Sequence, residues 1–99
     1  MRPLEKLIRE AIATGKYKCG MREVMRFAKG SKLILLSDSI SAKNRLGIED
    51  QAKINGVPVL RFNGSSVALG RICNRPYRIS ALSIKAGKDD EIRNIITEK

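Results

Sequence analysis

The sequence predicts an α/β domain: a three-layer α/β/α sandwich around a four-stranded mixed sheet. Three observations carry that expectation. Apolar residues recur at helical spacing in some stretches and as short continuous or alternating runs in others, and the two kinds alternate along the chain. Glycine, Asn-Gly or serine punctuates most of the changes between them. With 99 residues, the chain has room for one core and reads as a single domain over residues 1–99.

Leu4, Leu7, Ile8, Ala11 and Ile12 share one face of a first helix, which Pro3 can open and Gly15 stops. Tyr17-Lys18-Cys19 is a short strand ending at Gly20. Met21, Val24, Met25 and Ala28 then mark a second helix over residues 21–29, with Gly30 as its stop. Leu33-Ile34-Leu35-Leu36 is too short for a helix and apolar at every position, as a central strand covered on both faces must be. After a loop at Asp38-Ser39-Ile40-Ser41, a third helix is expected from Ala42 to Ile54, with Gly47 as a point of interruption. Val57 to Phe62 is the third strand, its proline near the start, where a missing N–H is tolerated. Ser65 or Ser66 caps a helix running to Cys73, and Asn74 suits the left-handed residue that ends it. Ile79 to Ile84 is the fourth strand. Asp89-Asp90-Glu91 open a last helix, with acids at its positive end. No repeat, linker or low-complexity tract interrupts the series.

Composition narrows the partners. Twenty basic residues against ten acidic give a net charge of +10. That excess costs compact-state stability through self-repulsion, which points to a polyanionic partner. The excess is also uneven. Residues 1–46 hold eleven basic and four acidic side chains, and residues 71–85 hold four basic and no acidic ones. In the expected fold, the turn after the first strand, the loop after the second and the loop before the fourth can share one end of the sheet and form a patch. No apolar run reaches the roughly 20 residues that span a bilayer, and the charged start is unlike a signal peptide, so no membrane partner is expected. Cys19 and Cys73 are too few for a disulfide framework, and without histidine they make no zinc ligand set. They are expected to be reduced, mostly buried thiols in a cytosolic protein, with no metal and no cofactor.

Two segments carry the candidate chemistry. In Cys19-Gly20-Met21-Arg22-Glu23-Val24, glycine lets backbone approach a phosphate at a helix start. Arg22 can give a bidentate contact to a guanine edge, and Glu23 can accept from a guanine amino group. The plainer alternative is a tight turn with a surface charge pair. In Asn74-Arg75-Pro76-Tyr77-Arg78-Ile79, cationic forks flank one aromatic face on a loop stiffened by proline, which suits phosphates and an unstacked base. Its plainer alternative is a surface loop with a tyrosine packed on the sheet. Catalysis is not expected. The chain has no histidine, no phosphate-loop pattern, and no base beside either thiol.

The blocks Gly20-x-Arg22, Lys32-Leu33-Ile34-Leu35-Leu36, Gly56-Val57-Pro58-Val59 and Arg75-Pro76-Tyr77-Arg78-Ile79-Ser80-Ala81-Leu82 resemble the small kink-turn RNA-binding ribosomal proteins, in particular their archaeal-type large-subunit branch. The likeness runs from Leu4 to about Glu91. It implies an α/β/α fold that binds ribosomal RNA at a kink-turn, an internal loop with sheared G·A pairs and an extruded nucleotide. It further implies a free monomer that meets other large-subunit proteins in the cytoplasmic ribosome. By that likeness Gly20, Met21, Arg22 and Glu23 meet the paired guanines, and Tyr77, Arg78, Ile79 and Ser80 cover the extruded nucleotide. Lys18, Arg22 and Lys43 would bind phosphates, and Arg75 would join the hold on the base. The chain departs from the family at Ser39, where asparagine is usual, and at Ala68, where glutamate is common. Glu23 is more typical of relatives that bind small guide RNAs. The rival expectations are a kink-turn subunit of a guide-RNA modification complex or RNase P, and a basic protein–protein adaptor.

Overall fold

The computed structural model describes residues 3–85, Gly87 and residues 89–97. Helices and strands alternate as α1 (Pro3–Thr14), β1 (Tyr17–Cys19), α2 (Met21–Arg26), β2 (Leu33–Leu36), α3 (Ala42–Ile54), β3 (Val59–Arg61), α4 (Ser66–Ile72), β4 (Ala81–Ile84) and α5 (Asp89–Thr97). The strands form one sheet in the order β1-β4-β2-β3. β4 runs antiparallel to β1 and β2, whereas β2 and β3 are parallel. The expected mixed sheet is therefore present.

Both central strands, β2 and β4, are buried at all four positions, because helices cover both faces. On one face Leu33, Leu35, Leu82 and Ile84 pack with Leu7, Ile8 and Ala11 of α1, Leu69 of α4, and Ile92 and Ile95 of α5. On the other, Ile34, Leu36 and Ala81 meet Val24 and Ala28 at α2, and Ile48 and Ala52 of α3. The period-two alternation of a strand sends neighbouring residues to these separate clusters. One buried polar link crosses the second layer. Ser31 Oγ donates to the Phe27 carbonyl at 2.7 Å, so the 2.5 Å contact between Ser31 and Ser83 hydroxyls has Ser83 as its donor. That link pins the end of α2 to β4.

Several elements differ from expectation, among them β4, which begins at Ala81 rather than Ile79 because the Ile79 N–H is bonded to the Ser66 carbonyl at 3.0 Å. α2 stops at Arg26 rather than Lys29, and the Ser31 hydroxyl engages the carbonyl of Phe27 as the chain turns toward β2. α3 runs through Gly47 without interruption. Burial of Ile48 and Ala52 outweighs the roughly 1 kcal/mol that glycine costs inside a helix. β3 begins at Val59 because the Val57 N–H is still bonded to the Ala52 carbonyl at 2.8 Å as the chain leaves α3.

Cys73, fully buried against α1 and the sheet, has its thiol pushed up from an ordinary 9.0 to about 11, chiefly by burial and next by Cys19, with Arg75 opposing. An unfolded thiol ionises first as pH rises through 9.0, while the folded one keeps its proton until about 11. Stability is thus expected to fall across that window. Denaturation midpoints measured there should decline more steeply for the native chain than for Cys73→Ala; parallel profiles would show that the fold does not hold the proton.

Candidate RNA interface

Because β4 runs against its three companions, the ends of β1, β2 and β3 and the start of β4 lie at the same pole of the sheet. The register fixes this: Cys19 pairs with Leu82, Leu36 pairs with Ala81, and Leu36 also pairs with Arg61. The loops leaving those ends are laced together by backbone. The Gly20 N–H donates to the Ala81 carbonyl at 3.1 Å, Ser37 N–H to Ser80 at 2.9 Å, and Asp38 N–H to Gly64 at 2.8 Å. Segments as far apart in the chain as Gly20 and Ala81 thus form one continuous rim.

Gly20 turns the chain from β1 into α2 with φ 95°, a conformation that a side chain resists. No side chain caps α2, so its first N–H groups are left to solvent or a ligand. Arg22 is exposed at that start, and Glu23 is half-buried beside it. Met21 instead leans on the apolar cluster under α2, so it anchors the turn. Lys43 is exposed in the first turn of α3. Ser39 is exposed, but its hydroxyl accepts from the Ser66 N–H at 3.2 Å. It therefore ties the loop after β2 to the start of α4.

The other side of the rim is the loop from Asn74 to Ser80. Asn74 takes the expected left-handed conformation, φ 58°. Tyr77 is 53% exposed. The Cys19 thiol first, and then burial, hold its phenol above the ordinary value. Arg71, Arg75, Pro76, Tyr77, Arg78 and Val67 line an open recess of about 360 Å³. Three guanidinium groups and a phenol around one recess suit a phosphate and a planar ring.

Sequence reasoning placed further residues in this interface that the fold uses differently. Ile79 is 1% exposed, its side chain in the core, while its N–H donates to the Ser66 carbonyl at 3.0 Å. Any contact it makes to a ligand is through backbone. Arg75 donates to the Tyr17 hydroxyl, its guanidinium 5.5 Å from the centre of that ring. It clasps the loop to β1 and leaves Arg71 and Arg78 as the more available cations. Arg71 belongs to the acid-free basic stretch that the sequence shows but is not among the residues named for the site, and the fold sets it in the wall of the same recess. Lys18 lies off the rim proper, its Nζ 4.9 Å from the centre of the Phe27 ring.

The fold and this rim define a class: a small α/β/α domain whose cationic, aromatic-bearing end is built from three loops. Comparison with known proteins then gives the lineage. The chain belongs to the ribosomal protein L7Ae/L30e/S12e/Gadd45 family, whose model matches residues 2–93, which bears out the resemblance read from its motifs. It is 33% identical over 94 residues to the large ribosomal subunit protein eL30 of Methanosphaera stadtmanae, covering 93% of this chain and 96% of that protein. It is 36% identical over 88 residues to the protein of the same name from Pyrobaculum islandicum, covering 87% of each. Among solved structures, a Giardia lamblia 15.5kD RNA binding protein superposes with TM-score 0.70 at 25% identity, covering 97% of this chain and 80% of that one. A Bacillus halodurans protein of unknown function shares the fold, with TM-score 0.78 at 16% identity over 94% of this chain and 92% of that one.

Proposed function

We propose that this chain is a non-enzymatic structural protein of the large ribosomal subunit, at work in the cytoplasm, which grips ribosomal RNA at a kink-turn. One observation carries the reading: the Gly20 turn, the Ser39 loop and the Tyr77 loop converge at one pole of a family member with net charge +10. The two chemistries needed for a bent RNA both stand at that pole. Arg22 and Lys43, with the uncapped start of α2, take phosphates and guanine edges on one strand. Tyr77, flanked by Arg71 and Arg78, offers a ring for an extruded base. Because the backbone bonds fix both sides in advance, little ordering entropy is lost on binding.

If about four to six phosphates are neutralised, log affinity should fall with log salt at a slope of about −3 to −5. A flat salt response would remove the phosphate grip. RNA recovered with the chain from cell extract is expected to be large-subunit ribosomal RNA. Recovery of small guide RNAs instead would move the chain to a modification complex, and recovery of no RNA would favour an acidic protein partner.

A further inference from the structure

A second basic surface descends from the rim along the flank made by β1 and α2. Phe27, half-buried at the end of α2, carries two ammonium groups: Lys18 Nζ lies 4.9 Å from its ring centre and Lys85 Nζ lies 5.2 Å from it. Lys18 lies in β1 and Lys85 directly follows β4, and the Lys85 N–H bonds the carbonyl of the exposed Lys16 at 2.9 Å. Phe27 is itself held, through the Ser31 hydroxyl and Ser83, to the central strand. Cation–π contact therefore parks like charges side by side at a fixed place instead of leaving them on mobile stems. Arg22 and Arg26 are both exposed and four residues apart on α2, which aligns them along the helix from the rim toward this cluster. Lys29 is exposed just beyond. From Lys16 to Lys32 the chain has six basic residues and one acid, Glu23. Like charges gathered in this way repel one another, and a regular polyanion laid along the flank relieves that repulsion.

We infer that Lys18 and Lys85 over Phe27, with the exposed Lys16 joined to Lys85 through backbone and with Arg26 and Lys29 beyond, bind the phosphates of the helical stem that leaves the bend gripped at the rim. The inference rests on the proposed function for the bend itself and adds a stem contact on this flank. Contacts of this type position a duplex and raise affinity without reading its sequence.

The test uses a kink-turn RNA with both stems trimmed close to the bend, and two longer forms in which one stem or the other is extended by a helical turn. The native chain is expected to bind one of the extended forms more tightly than the trimmed RNA. Lys16→Gln/Lys85→Gln should bind the trimmed RNA like the native chain and lose that gain. Its salt slope on the extended RNA should be shallower by about 2, about 0.9 for each lysine. Lys16→Arg/Lys85→Arg should keep the gain, which separates charge from any loss of folding, and a thermal melt of each variant checks the fold directly. No gain from either extension, or a gain that survives in the glutamine variant, overturns the stem contact while the rim reading stands. Failure of the native chain to bind even the trimmed kink-turn strikes the rim reading, and the stem contact falls with it.

Discussion

Gly70→Ala is expected to lower the melting temperature by roughly 10 °C and to weaken RNA binding together with it. Gly70 sits inside α4, where alanine is ordinarily the better residue by about 1 kcal/mol. Here a Cβ would run into the backbone carbonyl of Tyr77. A backbone atom cannot swing aside as a side-chain tip can, so α4 and the loop must part. Their separation strains the bond from the Arg75 N–H to the Gly70 carbonyl, 2.9 Å, and the one from Ile79 N–H to Ser66, 3.0 Å. Overpacking costs up to about 3 kcal/mol, which leaves about 2 kcal/mol after the helix gain. At about 4–8 °C for each kcal/mol in a domain of this size, that loss gives the stated shift. An unchanged melt would mean that the loop yields freely, and the rim would then not be preformed.

The second large effect falls on affinity alone. Arg22→Ala and Tyr77→Ala should each weaken kink-turn binding by about 1–3 kcal/mol, the first through a lost guanine or phosphate fork and the second through a lost stacking platform. Both side chains are exposed, so the melting temperature should hardly move. Tyr77→Phe keeps the ring and should keep most of the affinity. A Tyr77→Ala variant that binds as the native chain does would show that the ring carries no base, and the recess beside it would reduce to three cations.

Most of the architecture was legible because period and punctuation are local signals. The apolar run from Leu33 to Leu36 could only be a strand buried on two faces, and it is. Gly15, Asn55-Gly56 and Asn74 mark element ends where positive φ was needed, with φ 73° at Gly15 and 58° at Asn74. Gly47 misled because propensity is weighed without its neighbours; Ile48 and Ala52 hold that helix from the core side. At the site, residue types were legible and roles were not. Arg75 and Tyr77 have the same composition-level signal, yet one is clasped to Tyr17, across 58 residues of chain, and the other is exposed. Ile79 reads as part of a binding loop, whereas its side chain completes the core. Ser39 reads as a loop residue at the site, whereas its hydroxyl accepts from the start of α4. Such assignments depend on which segments meet, and meeting is settled by the antiparallel placement of β4 between β1 and β2.

Affinity for a kinked RNA against that for a straight duplex of equal length, measured on the native chain, Arg22→Ala and Tyr77→Ala, probes the convergent rim most directly. A rim shaped by both loops predicts a clear preference for the kinked form that each substitution reduces, with straight-duplex binding left nearly as it was. Equal affinity for the two RNAs, or a preference that neither substitution touches, would contradict it.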